Sequence, residues 1–185
     1  MKPSGPGQSL LLLLDVATVL SREKIPFAVI GAVAAAVHAS IRATTDADAL
    51  LSVALSRLSA LEKAFKKAGF DTQLRRGDAE DPISAMLVLS DQHGNRVDLL
   101  AELRGADPDA FSRLVIVPFQ GRTLPVISKE DFIAMKCFAG GPQDVADAEA
   151  ALRLGDAAVN VDLLRRITRR FGRAATDVLE GLLNS

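Results

Sequence analysis

The chain has 185 residues, 49% of them hydrophobic and 24% charged, with a formal net charge of −1. That balance is globular; it excludes a chain dominated by disorder and one that attracts nucleic acid through its overall charge, so RNA contact needs a local basic patch. One cysteine, Cys137, excludes an internal disulfide and a cysteine-based zinc site, and the two histidines, His38 and His93, leave little for a histidine-based one.

The leucine run Leu10–Leu14 stops at Asp15 without a small-residue cleavage pattern behind it, and no segment approaches the ~20 apolar residues of a membrane span. The expectation is a cytoplasmic protein with no membrane partner. In chain order, residues 1–7 read as a flexible start. From Gln8 to Arg22, apolar residues recur at helical spacing. Pro26 forces an extended entry into a short buried strand, Phe27–Ile30, which Gly31 ends. The alanine-rich Ala32–Ala39 favours helix. A second strand spans Ala47–Val53. It is followed by a helix from Leu55 to Ala68 that turns Leu58, Leu61 and Phe65 inward and ends at Gly69.

Residues 70–75 and 83–90 read as extended, and Asp91–Asn95 is a turn into the strand Arg96–Glu102. Short strands at 114–119 and 122–127 flank Gln120-Gly121. Beyond Ser128 the texture becomes helical. Ser128 with Asp131 caps a helix through Phe138, Gly140-Gly141-Pro142 breaks it, and Gln143–Leu154 forms another. Two further helices are divided near Gly172. The predicted class is α+β: a short mixed β-sheet flanked by helices over residues 8–127, then a helical C-terminal part over 128–185.

Asp46 and Asp48 stand i, i+2 at the head of the second strand, so both carboxylates point the same way. Most Asp-x-Asp pairs are surface loop acids. Here the buried run Leu50, Leu51 and Val53 makes a charge at Asp48 costly unless something pairs with it. A divalent metal takes such oxygen ligands and fills the rest of its shell with water and phosphate oxygens. A third acid, Asp98, lies in Arg96-Val-Asp-Leu-Leu100, where alternation puts it opposite Val97 and Leu99. It can complete a two-metal site or take a proton from an attacking hydroxyl. Gly31 opens a strand–turn–helix unit whose backbone N–H groups suit a phosphate.

Gly31-Ala32, thirteen residues and then Asp46-Ala-Asp48, with the later Asp98, resembles the nucleotidyltransferase superfamily. The similarity is to its small prokaryotic members, including toxins of abortive-infection toxin–antitoxin pairs. Phe27–His38, Arg42–Asp48, Ser128–Lys136, Asp144 and Asp147 share in it. The resemblance implies a polymerase-beta-like palm with a helical C-terminal part. It also implies transfer of a nucleoside monophosphate from a nucleoside triphosphate to a hydroxyl of RNA, protein or a small molecule. Asp46, Asp48 and Asp98 become the catalytic and metal-binding residues, with Mg²⁺ or Mn²⁺ as cofactor. Gly31, Ala32, Arg42, Thr44 and Lys136 become the nucleotide-binding ones. An antitoxin-like protein becomes a candidate partner.

Two positions depart from the family pattern. Ala32 stands where glycine or serine is usual, and Gly141 and Gln143 replace basic residues, leaving Lys136 as the main nearby cation. They motivate an alternative: a catalytically degenerate module that acts by binding a partner. Arg165, Arg166, Arg169, Arg170 and Arg173 interleave with Leu163, Leu164, Ile167 and Phe171. They form an exposed stripe that is either solvated or an RNA contact. The chain has no Trp or Tyr for base stacking. Glu102 and Asp107 are too few to build an acidic acceptor pocket of the aminoglycoside-modifying kind.

Overall fold

The structure is a computed structural model that describes residues 2–40, 44–154 and 158–185. Helix α1 (Ser9–Arg22) buries Leu12, Leu13, Leu14, Val16 and Leu20, so the leucine run is core. Strand β1 (Phe27–Ile30) is buried throughout and feeds α2 (Gly31–His38). Strand β2 (Asp46–Leu51) starts one residue earlier than the pattern predicts and ends at Leu51, after which the Ser52 N–H donates to the Pro26 carbonyl at 2.9 Å. A 3-10 turn, Leu55–Arg57, precedes α3 (Leu58–Lys67), which buries Leu58, Leu61 and Phe65 as the spacing predicts.

Strands β3 (Asp71–Arg76), β4 (Ile83–Ser90), β5 (Arg96–Leu103), β6 (Val115–Phe119) and β7 (Arg122–Val126) follow. Helices α4 (Lys129–Ala139), α5 (Pro142–Arg153), α6 (Val161–Arg170) and α7 (Arg173–Leu183) complete the chain. The Ser128 Oγ accepts from the Asp131 N–H at 3.1 Å and donates to Asp131 Oδ2 at 2.6 Å, fixing the entry to α4. Gly140-Gly141-Pro142 separates α4 from α5 as expected, and Pro142 is itself the first residue of α5, where its missing N–H costs nothing. Among the described residues no helix is long and apolar enough to cross a membrane.

The strands form one sheet in the order β3-β4-β5-β2-β1-β7-β6. The pairs β2/β5 and β1/β7 are parallel and the others antiparallel, so the sheet is mixed and the class is α+β. Helix α1 packs on β2 and β5, and α3 on β3. Ala47, Ala49, Val97, Leu99, Leu87 and Leu89 are buried in this core. Alternation turns Asp46, Asp48 and Asp98 to the other face. Helix α2 contacts α4 and α5, and α4 also packs against α6 and α7.

Buried charge links these helices to the segment after β5. Arg113 donates to Asp131 through Nε at 3.1 Å and Nη2 at 2.8 Å, and its Nη2 lies 3.3 Å from Asp107. Asp107 in turn accepts from the Asp109 N–H at 3.0 Å and meets Arg166 of α6 at 3.4 Å.

Candidate active site

Parallel pairing of β2 with β5 decides the geometry. The register sets Asp46 opposite Arg96 and Asp48 opposite Asp98, while β1 places Ile30 beside Asp48 from the other side. In-register partners on neighbouring strands share a face, so three carboxylates and one guanidinium gather on one side of the sheet. Gly31 follows with φ +62°, and a Cβ there would collide with the Asp48 carboxylate. Only glycine combines the left-handed turn with so close an approach.

Burial and the neighbouring charges of Asp46 and Asp98 push the Asp48 carboxyl up to about 6, against the partial relief of Arg96 and Lys136. Asp98 is 7% exposed and accepts a two-pronged fork from Arg96, Nε to Oδ1 at 2.7 Å and Nη2 to Oδ2 at 2.6 Å. Asp46 is half-buried. The Thr44 hydroxyl lies 2.9 Å from its carbonyl and 3.0 Å from its Oδ1. Thr44, expected at the nucleotide, thus holds Asp46 in this structure.

Solved nucleotidyltransferases share this architecture at low sequence identity. The antibiotic-resistance factor ANT(2'')-Ia in solution has 14% identity and a TM-score of 0.60, over 94% of this chain and 95% of that one. A crystal structure of the same factor holds adenylyl-2''-tobramycin. An antigenic nucleotidyltransferase-like protein of Paracoccidioides brasiliensis has 14% identity and a TM-score of 0.56, over 97% and 94% of the two chains. A Thermotoga maritima protein provisionally assigned as a nucleotidyltransferase has 18% identity and a TM-score of 0.57, over 72% and 85%. The chain has the nucleotidyltransferase fold. No family model and no curated protein matches its sequence.

Within the nucleotidyltransferase fold the other expected site residues separate. Gly31 and Ala32 open α2, which has no side-chain cap and so leaves first-turn N–H groups for a ligand. Arg42 lies outside the described residues. Lys136 Nζ is 2.7 Å from Asp144 Oδ1 and 2.9 Å from Asp147 Oδ2, and 5.7 Å from the Phe132 ring centre. It is therefore paired with two acids of α5, and among the described residues Arg96 is the cation bonded at the strand acids. Sequence reading missed Arg96. Its signal was its place two residues before Asp98 on the same strand face.

His38 is buried, with Nε2 2.7 Å from the Ile127 carbonyl and its ring against Phe132. A carbonyl only accepts, so Nε2 carries the proton, and burial lowers the pKa; the group is a neutral core histidine. Burial pushes the Cys137 thiol up to about 11, which removes it as a nucleophile. Glu102 and Asp107 line a cavity of about 480 Å³ beyond the C-terminal ends of β2 and β5, the opposite end from Asp48 and Asp98. Another of about 550 Å³, between α1, the end of α3 and the Asp91–His93 turn, holds none of the site residues.

The arginine stripe is less available than its pattern suggests. Arg165 forks onto Glu180 at 2.8 Å, Arg166 meets Asp107, Arg170 donates to the Ala106 carbonyl at 3.2 Å, and Arg173 lies 3.7 Å from Asp177.

Three carboxylates supply the hard oxygen ligands that Mg²⁺ and Mn²⁺ take, and the Asp48 carboxyl, raised by burial first and by Asp46 and Asp98 second, carries a disfavoured negative charge that a divalent cation stabilises. Among the described residues no three acidic, histidine or cysteine side chains form a ready-made metal cage. Both Asp98 oxygens are engaged by Arg96. The donor chemistry fits a divalent ion; closing the set requires Asp98 to be released.

Proposed function

We propose that the chain is a metal-dependent nucleotidyltransferase. The observation that carries this reading is the in-register set Asp46, Asp48 and Asp98 on one sheet face, with the Gly31 turn pressed against Asp48. Asp46 and Asp48 hold Mg²⁺ or Mn²⁺ and Asp98 completes the set. When bound, the ions supply charge stabilisation to the entering and leaving oxygens. The Gly31–Ala32 turn and the start of α2 take triphosphate oxygens through backbone N–H groups.

The acceptor hydroxyl forms its bond to the α-phosphorus as the bond to pyrophosphate breaks, and the hydroxyl proton passes to the Asp98 carboxylate. Among the described residues the carboxylates of Asp46, Asp48 and Asp98 outnumber the Arg96 guanidinium on this face, which suits a cationic hydroxyl compound as acceptor. The aminoglycoside product held by ANT(2'')-Ia is of that chemistry. The sequence resemblance adds RNA or protein as acceptors and a role in a toxin–antitoxin pair.

A second reading, a partner-binding module without turnover, is favoured by Ala32 and by the commitment of Lys136 to Asp144 and Asp147. The protein is incubated with Mg²⁺ or Mn²⁺, each labelled nucleoside triphosphate, and RNA, protein and amino-sugar acceptors. Label transfer that disappears in Asp98→Asn supports the enzyme. Tight binding of an antitoxin-like protein without transfer to any acceptor supports the module.

A further inference from the structure

Among the described residues, Arg96 and Asp98 form the two-pronged ion pair of the acid face, and the two partners differ in freedom. The Asp98 side chain is 9% exposed and fixed in the sheet, whereas that of Arg96 is 40% exposed. The Arg96 backbone is anchored separately, its N–H donating to Ser9 Oγ at 3.0 Å, so its side chain can swing without loosening β5. Its register position opposite Asp46 sets it on the face that carries all three acids. Arg113 makes the same fork to Asp131, but its side chain is 20% exposed and also meets Asp107. One fork is locked into the core; the other opens to solvent.

We propose that Arg96 is the resident counter-ion of the acid face: it closes on Asp98 in the metal-free chain, releases it when a divalent cation arrives, and so sets how tightly that cation is held. This rests on the metal-dependent reading above. A guanidinium fork and a metal compete for the same two carboxylate oxygens, and both cannot hold them at once. A purely structural strut predicts the opposite sign, because removing it would let Asp98 drift and weaken the metal site.

The test is Mn²⁺ binding without nucleotide, read by the loss of the free-ion paramagnetic resonance signal. The proteins are the wild type, Arg96→Met, Arg96→Lys, Arg96→Met with Asp98→Asn, and Asp46→Asn with Asp48→Asn. Arg96→Met binds Mn²⁺ about tenfold more tightly than wild type, matching the loss of one charge-assisted fork. Arg96→Lys, which keeps charge and loses the fork, shifts the same way by less. The gain vanishes when Asp98→Asn is added. Circular dichroism melts check folding, and Arg96→Lys carries the test if Arg96→Met does not fold. Equal or weaker binding by the Arg96 variants overturns the counter-ion role while binding lost in the Asp46/Asp48 double variant upholds the site. Binding that is absent throughout, or indifferent to the double variant, overturns both.

Discussion

Asp107 and Asp131 are as deeply buried as Asp98, yet the two regions that hold them treat negative charge in opposite ways. Around Asp131, the Arg113 fork and the Ser128 hydroxyl satisfy the carboxylate. Burial raises the Asp107 carboxyl, but the Asp109 N–H and the charges of Arg113, Arg166 and Arg170 more than offset this and hold it below the ordinary range. On the sheet face, among the described residues, three acids share one fork, and burial together with the charges of Asp46 and Asp98 pushes the Asp48 carboxyl up to about 6. Neutralised acids serve as architecture. Acids short of cations leave a place for a cation from outside.

The largest way to break this contrast is Arg113→Met, which strips Asp131 of its guanidinium and leaves buried charge behind. It lowers stability by about 3–5 kcal/mol in denaturant melts, with Mn²⁺ binding by the folded fraction unchanged. Asp48→Asn sharpens it from the other side. The folded pKa of about 6 lies above the ordinary aspartate value of 3.8, so the folded state holds the proton more tightly. The penalty for the charged form is absent below both values, grows between them and is complete above about 6. In the metal-free protein, stability therefore falls as pH rises through that window. Asp48→Asn removes the dependence and is about 3 kcal/mol more stable at pH 7.5. Gly31→Ala brings left-handed strain of about 1–2 kcal/mol and displaces Asp48. Thermal melts and Mn²⁺ titration both register it. Arg165→Ala removes an exposed pair and leaves the melting temperature unchanged.

Local chemistry made much of the fold legible. The Asp46/Asp48 spacing gave a shared face, Gly31 a turn, and Ser128 with Asp131 a cap, because each depends on neighbours within a few residues. The pairing of β2 with β5 was not legible, since it joins segments separated by α3, β3 and β4 and follows from global packing. That pairing brings Asp98 opposite Asp48 and Arg96 opposite Asp46. For the same reason the pairing of Lys136 with Asp144 and Asp147 was not legible, since α5 has to fold back onto α4 to make it. The arginine stripe read as a solvated face because its partners Asp107 and Glu180 lie on other elements.

If Asp46 and Asp48 hold a metal–nucleotide complex, calorimetry of Mg²⁺ with each nucleoside triphosphate reads it out. Binding to the wild type is saturable and is abolished in the Asp46→Asn, Asp48→Asn double variant. The same affinity and heat in the folded double variant would contradict it.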